Sequence, residues 1–147
     1  IAGNGPLADE LKEKVASLGL TNRITLPGSV KNVNELYARA SVFVLPSNFE
    51  GTPNALLEAM QLKAAVIVSD ASPGPLEVVE DNRTGLVFPV DNVAVLADKL
   101  SALIQDQGLR EKLGDAAATK IREFQPAAVL SAWEEVIGIQ PSTDTEL

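Results

Sequence analysis

Two glutamates, Glu50 and Glu58, stand eight positions apart and are the side chains of this sequence best placed to share one chemical site. Glu50 follows an apolar run, residues 42–45, that is typical of a buried strand, and Glu58 lies inside the helix that we predict next. Thr52 is a favoured N-cap residue, and Pro53 suits the first position of a helix. A strand, loop and helix in this order open a crevice at the carboxyl end of a parallel sheet.

The predicted helix start between the two glutamates favours an anion, because its N–H groups lack helical partners and carry partial positive charge. A bare phosphate gains nothing from two neighbouring carboxylates. Carboxylates do accept hydrogen bonds from hydroxyl groups. The combination therefore predicts a ligand in which phosphate lies between sugars, although two glutamates at this spacing, taken alone, favour a solvated helix face.

Composition excludes several classes of function. The chain has 147 residues, 46% of them hydrophobic, which is enough for about one domain with its own core. It contains no cysteine and no histidine, which excludes a disulfide framework, a Cys/His zinc site and a histidine-dependent triad. The net charge of −8 disfavours nucleic acid as a partner. Without a membrane-spanning apolar run or a signal peptide, a cytoplasmic protein is the expectation.

Apolar runs alternate with amphipathic ones along the chain, which is typical of βα units around a parallel sheet. We predict an α/β fold with a Rossmann-like parallel sheet flanked by helices, in one domain over residues 1–138 with a flexible tail at 139–147. The predicted strands are residues 24–26, 42–45, 66–68 and 86–88. The predicted helices are residues 7–18, 34–40, 54–62, 76–80, 93–105 and 109–124, and a last helix carries an apolar stripe from Val129 to Ile137.

The segment from Glu50 to Glu58 resembles the Glu-x7-Glu signature of retaining glycosyltransferases with the GT-B fold, the group called family 4 or group 1. Further landmarks follow in family order over roughly residues 1–105: Gly3-Asn-Gly-Pro6, Ile24-Thr-Leu-Pro-Gly28, Tyr37-Ala-Arg-Ala-Ser-Val-Phe-Val-Leu-Pro-Ser47, Gly74-Pro-Leu-Glu77 and Thr84-Gly-Leu-Val87. The form Glu50-Gly-Thr-Pro-Asn-Ala-Leu-Leu-Glu58, with the later Pro73-Gly-Pro75, is most similar to bacterial enzymes that build surface polysaccharides.

The resemblance implies the C-terminal, donor-binding domain of such an enzyme, truncated at its N-terminal edge. Ile1-Ala2 is typical of the tail of a strand, so an acceptor domain and a loop bearing an Arg and a Lys are expected upstream. The isolated chain is therefore expected to be inactive. Peripheral association of the full-length enzyme with a membrane is a further expectation that the resemblance allows.

The donor implied by the resemblance is a nucleoside diphosphate sugar, with no other cofactor and no metal. Glu58 matches the glutamate that bonds the ribose hydroxyls. Glu50 matches the catalytic-site glutamate that contacts the hexose near its reacting carbon. The implied reaction transfers a hexose to an acceptor hydroxyl with retained anomeric configuration, and the leaving phosphate takes the acceptor proton.

The same resemblance assigns the remaining donor contacts. The backbone N–H groups of Gly51 and Thr52 face the distal phosphate, and Asn54 lies against the nucleoside. Backbone at Ser29 and Val30, after the Pro-Gly turn, holds the base. One departure concerns the turn before the next strand, where the family has glycine and this chain has Lys63, which can adopt a left-handed conformation only with strain.

Several alternatives stay open at this stage. A sugar-nucleotide epimerase of the GT-B type would use a similar crevice, though histidine would be expected there. A non-catalytic nucleotide-sugar-binding domain and a structural domain without a small ligand are the others. Residues 3–8 fit the dinucleotide pattern G-x-G-x-x-A, but the acidic residue about twenty positions later is missing, which favours a plain tight turn. Asp70 is a candidate cap for the following short helix, and Trp133 either belongs to the core or meets the upstream domain.

Overall fold

The computed structural model describes residues 1–51 and 53–138, apart from the side chain of Pro126. The chain divides into two compact units, Ile1–Leu36 and Tyr37–Leu147. Helix α1 is Ala8–Ser17 and helix α2 is Val33–Arg39. Both lie within one residue of the predicted helices at each end, which is the usual uncertainty of helix limits.

In the first unit the prediction of a strand at residues 24–26 is wrong. The Ile24 amide donates to the Leu20 carbonyl at 2.9 Å, as does the Arg23 amide, so the segment begins as a turn that uses the N–H groups a strand would need. A single parallel bridge joins Ala2 to Gly28. Beside it the Gly3 amide donates to the Gly28 carbonyl at 2.8 Å.

A parallel sheet forms the centre of the second unit. Its strands are β1 Val42–Leu45, β2 Ala65–Ser69 and β3 Leu86–Phe88, in the spatial order β1-β2-β3. The predicted parallel α/β fold is confirmed, with β1 and β3 at the predicted residues and β2 one residue longer at each end. Strand β2 is buried along its whole length, as expected for a central parallel strand covered on both faces.

Helices connect and cover these strands. They are α3 Asn54–Gln61, α4 Pro73–Val78, α5 Val93–Gln105, α6 Gln107–Lys120 and α7 Pro126–Ile137, with a 3-10 turn at Ile121–Phe124. Helix α4 begins three residues before its predicted start, because proline has its φ preset for a first helical turn and lacks the N–H that would go unpaired there. Helix α6 begins two residues early, because the Asp106 side chain caps it through the Leu109 amide at 2.9 Å.

Apolar side chains pack on both faces of β2. On one face Ile67 joins a buried cluster that includes Leu103 of α5 and Leu113 of α6. Residues that alternate with it along the strand, such as Val68, are also fully buried, and Leu56 of α3 has no exposed surface. This two-sided packing fixes the orientation of α3, the helix that carries Glu58.

The apolar stripe of α7 lies outside this core. Trp133 is 61% exposed and Val136 is 78% exposed, so placing Trp133 in the core was wrong. Among the described residues, no helix is both long enough and apolar enough to cross a membrane.

The turn between α3 and β2 confirms the strain expected at Lys63, whose φ is 62°. Helix α6 packs directly on this turn, since a Cβ added at Gly114 would lie 2.3 Å from the Lys63 carbonyl oxygen. The Lys63 ammonium also meets Asp115 at 2.9 Å, but both side chains are about two-thirds exposed, so this ion pair contributes little to stability.

Replacing Gly114 by alanine should therefore destabilise the second unit. A methyl group cannot fit against the Lys63 carbonyl, and α6 must move away from β2, which should lower the free energy of unfolding by about 2 kcal/mol. Gly108→Ala is the matched control in the same helix, where the added Cβ meets only Asp106 Oδ1 at 3.4 Å. Urea denaturation should show Gly108→Ala unchanged or more stable, and equal effects of the two substitutions would contradict the close packing.

Candidate functional site

The loop that leaves β1 holds Glu50 at two points. The Ser47 hydroxyl donates to Glu50 Oε1 at 2.8 Å, and the Glu50 amide N–H donates to Ser72 Oγ at 3.0 Å. Glu50 is half-buried. Its carboxylate is thus tied to its own loop, and its backbone is tied to the residue that precedes α4.

The last residue of β2 also forms a hydrogen bond to this loop. The hydroxyl of Ser69, the last residue of β2, is buried and donates to the Ser47 carbonyl. The next residue, Asp70, accepts from the Val90 amide at 2.8 Å and so joins the ends of β2 and β3. The alternative that Asp70 caps the short helix is therefore wrong, because its carboxylate reaches forward to the loop after β3, and Ser72 takes the N-cap position of α4.

The first turn of α4 lies against the backbone of the Glu50 loop. A Cβ added at Gly74 would lie 1.7 Å from the Gly51 carbonyl oxygen and 3.2 Å from that of Glu50. No side chain fits at that distance, so position 74 requires glycine. At Gly51 itself an added Cβ meets no atom within 4 Å, so this part of the loop borders open space.

Helix α3 begins at Asn54, the first residue of the predicted range, and ends one residue before the predicted end. Pro53 is the N-cap, with extended backbone (φ −82°, ψ 91°), and Asn54 is the first helical residue. The prediction that Pro53 takes the first helical position is wrong, because its extended ψ keeps it outside the helix, where its carbonyl accepts from the Leu56 amide at 2.9 Å. Thr52 lies outside the described residues, so its phosphate-binding role stays a prediction, while the N-cap position predicted for it belongs to Pro53.

Glu58 lies on the exposed side of α3, at the edge of a hollow of about 230 Å³. The lining side chains come from α3 and from the segment after α6: Asn54, Leu57, Glu58, Gln61, Ile121, Phe124 and Gln125. No motif in the sequence indicates a role for the last three residues. They are more than sixty positions from Glu58, and no local pattern could indicate that the chain returns to α3 there.

Tyr37, which begins one of the family landmarks, is a neighbour of Glu58 that no local pattern indicates. Its side chain is buried, and its ring meets the ring of Phe43 edge-on, with centroids 5.7 Å apart. Burial raises the pKa of Tyr37 above its ordinary value of 10.0, and the negative charge of Glu58 and a hydrogen bond to Glu58 raise it further. The Glu58 carboxylate is thus close to the Tyr37 hydroxyl.

The predicted site residues fall into separate groups. Glu50 and Gly51 form the loop group, while Asn54 and Glu58 share one face of α3. Among the described residues, Ser47 and Ser72 form hydrogen bonds with Glu50, and no hydrogen bond links Glu50 to Glu58. Glu58 instead lies close enough to Tyr37 to raise the pKa of its hydroxyl. Ser29 and Val30 belong to the first unit, directly after the bridged Gly28, and their contact with a base stays a prediction. Within the described part of the chain, no group of three or more acidic side chains could hold a metal ion.

A parallel sheet whose first strand runs through a glutamate loop into a helix defines a Rossmann-like domain of the kind found in GT-B glycosyltransferases. The chain belongs to the family described as "Glycosyl transferases group 1", whose model matches residues 1–120. The match extends well past Glu58 and includes every landmark named above. The resemblance stated for the sequence is therefore confirmed at the level of family and fold.

Similar proteins come from bacterial glycan synthesis. The chain is 34% identical over 137 residues to the Campylobacter jejuni GalNAc-α-(1→4)-GalNAc-α-(1→3)-diNAcBac-PP-undecaprenol α-1,4-N-acetyl-D-galactosaminyltransferase, covering 93% of this chain and 38% of that enzyme. A crystal structure of Staphylococcus aureus TarM with fondaparinux, α-GlcNAc-glycerol and UDP matches with a TM-score of 0.85 and 25% identity, over 92% of this chain and 28% of TarM.

A third similar structure is the C-terminal domain of LpcC, a glycosyl transferase group 1 family protein from Francisella tularensis. It has a TM-score of 0.69 and 32% identity, over 78% of this chain and 60% of the other. The present chain thus spans 38% of the Campylobacter jejuni relative's length and resembles a domain that has been solved separately from its own full-length enzyme.

The single tyrosine of the chain makes the contact between Tyr37 and Glu58 measurable. Glu58→Gln removes a negative charge beside the hydroxyl, so the pKa of Tyr37, followed by tyrosinate absorbance, should fall while staying above its ordinary value because burial remains. Glu111→Gln, an equal change of charge on the exposed side of α6, should leave this pKa unchanged. If both variants titrate like the original chain, Glu58 does not face Tyr37.

Proposed function

We propose that this chain is the donor-binding domain of a retaining hexosyltransferase that acts in bacterial glycan synthesis. The observation that carries the proposal is the anchored, half-buried Glu50 at the carboxyl end of β1, eight positions before Glu58 on α3, in a chain of this family. Ligands of open parallel sheets bind outside the carboxyl ends of the strands, which is where this loop lies. The donor is a nucleoside diphosphate sugar.

The two glutamates bind different parts of the donor. An ionised carboxylate has about four acceptor positions, so Glu50 can keep its bond from Ser47 and still accept from a hexose hydroxyl. Glu58 is exposed, so its carboxylate can accept from the ribose hydroxyls while it stays beside Tyr37. Asn54, one turn earlier on the same face of α3, lies against the nucleoside.

The diphosphate lies between these sugars. The amides of Gly51 and Thr52 and the start of α3 provide N–H groups and partial positive charge for the distal phosphate. Gly51 supports this role because its backbone borders open space, where a ligand can approach without meeting a Cβ. The UDP in the TarM complex supports a uridine or similar nucleotide as the donor's leaving group.

The reaction needs no covalent nucleophile. The acceptor hydroxyl attacks the anomeric carbon on the face from which the nucleoside diphosphate leaves, and the leaving phosphate oxygen takes the proton. Charge that develops on this oxygen is stabilised by the fixed amide dipoles at the start of α3. Glu50 orients the hexose during this step.

The full reaction requires more than this chain provides. The chain covers 38% of its Campylobacter jejuni relative, and we propose that an acceptor domain and further positive side chains complete the site. The isolated chain then binds donor without turnover. A cytoplasmic location, and peripheral contact of the full-length enzyme with a membrane, stay predictions of the same proposal.

Binding to UDP, a UDP-hexose and 2′,3′-dideoxy-UDP tests the two glutamate roles by calorimetry. Glu58→Gln should weaken UDP binding about tenfold, the usual cost of losing one charge-assisted hydrogen bond. The dideoxy analogue should bind the original chain equally weakly and lose nothing more in the variant, because both changes remove the same contact. Glu50→Gln should weaken the UDP-hexose and leave UDP unchanged.

Glu111→Gln is the control for the loss of one charge, and it should bind all three ligands like the original chain. The proposal is wrong if no ligand binds at millimolar concentration. It is also wrong if Glu58→Gln weakens UDP and its dideoxy analogue by equal factors, since the ribose hydroxyls are then not its partners.

A further inference from the structure

The backbone and the side chain of Glu50 are each held by a serine from a different part of the fold. Ser47 lies two residues after the end of β1 and donates to the carboxylate, whereas Ser72 precedes α4 and accepts from the amide. Ser72 is only 6% exposed, and Ser69 beneath them is 3% exposed. A surface glutamate whose only role was solubility would not need a buried hydroxyl at its backbone and a second hydroxyl at its carboxylate.

The directions of these bonds are determined by chemistry. The Glu50 carboxylate, when ionised, can only accept, so the Ser47 proton must point at it. An amide can only donate, so Ser72 must offer a lone pair to the Glu50 N–H. The carboxylate bond is charge-assisted and stronger than a neutral one. Together they restrict both the side-chain rotamer and the position of the backbone at Glu50.

Gly74 restricts the orientation of the peptide groups on either side of Gly51. An added Cβ would lie 1.7 Å from the Gly51 oxygen but 2.7 Å from the Gly51 carbon, so this carbonyl points at α4. The Glu50 oxygen lies on the same side, at 3.2 Å from that Cβ position. In a trans peptide the N–H points opposite to the carbonyl. The Gly51 amide, which shares its peptide with the Glu50 carbonyl, therefore faces away from α4.

We propose that Ser47, Ser72 and Gly74 are positioning residues that orient the Glu50 carboxylate toward the hexose and the Gly51 amide toward the distal phosphate. The inference rests on the proposed function, because it assumes that these two groups meet a donor. Ser47 acts on the sugar contact alone, since it bonds only the carboxylate. Ser72 and Gly74 act on both contacts, since they hold the backbone that the two groups share.

The test measures the affinity of each variant for UDP and for a UDP-hexose. Ser47→Ala should weaken the UDP-hexose roughly fivefold and change UDP by less than twofold, and Ser47→Thr, which keeps the hydroxyl, should restore the original affinity. Ser72→Ala and Gly74→Ala should weaken both ligands. Ser101→Ala, on the exposed side of α5, is the matched control and should change neither.

Amide hydrogen exchange gives a readout that does not depend on the donor. Ser72→Ala should speed exchange of the Glu50 amide by tenfold or more, while Ser101→Ala should not, because only Ser72 accepts from that N–H. Unchanged exchange in Ser72→Ala, or equal losses of UDP and UDP-hexose in Ser47→Ala, would overturn the positioning roles.

The two proposals fail in different ways. If Glu50→Gln selectively weakens the UDP-hexose while Ser47→Ala does not, Glu50 meets the sugar but the serine does not position it. A second outcome is that Glu50→Gln leaves UDP-hexose binding unchanged while hydrogen exchange at the Glu50 amide still responds to Ser72→Ala. The Ser72 hydroxyl then holds the loop, but Glu50 does not contact the hexose. Both the proposed role of Glu50 and the positioning of that donor contact would be wrong.

Discussion

The hydrogen bond from the Glu50 amide to the Ser72 hydroxyl joins two loops that are 22 positions apart, and the candidate site depends on it. Parallel pairing of β1 with β2 makes this bond possible, because it brings the carboxyl ends of both strands to one edge of the sheet. Leu45 lies opposite Val68, so the segments that leave the two strands start side by side. Shifting this register by one residue would turn the buried side chains of β2 to the opposite face and separate the serines from Glu50.

Much of the fold could be predicted from local sequence. The apolar run at Val42–Leu45 is short, uninterrupted and bounded by Ser41 and Pro46, and it forms β1 as predicted. Helix α5 also matches, since the Asn92 side chain caps it by accepting from the Val95 amide at 3.1 Å. The prediction of a strand at residues 24–26 is wrong for a local reason that residue propensities do not reveal. The Ile24 amide donates to the Leu20 carbonyl within a turn, so it does not pair with a neighbouring strand.

The candidate site could be predicted from the sequence only in part. The spacing of Glu50 and Glu58, and the strain at Lys63, follow from motif and backbone chemistry and were visible in the sequence. The contacts that hold these residues were not. Tyr37 beside Glu58, and Gly74 against Gly51, involve positions more than twenty residues apart. Such partners are decided by strand order and helix packing, which no local pattern of residues specifies.

The proposed donor rests on family membership and on the geometry of the glutamate loop. The family model covers residues 1–120, and the anchored glutamate loop lies where parallel sheets bind their ligands. A crystal structure of this chain with a UDP-hexose tests the central claim most directly. We expect a hexose hydroxyl within hydrogen-bonding distance of Glu50, a ribose hydroxyl within that distance of Glu58, and the distal phosphate at the Gly51 amide. A donor bound elsewhere, or bound here with either carboxylate turned away from its sugar, would contradict the account.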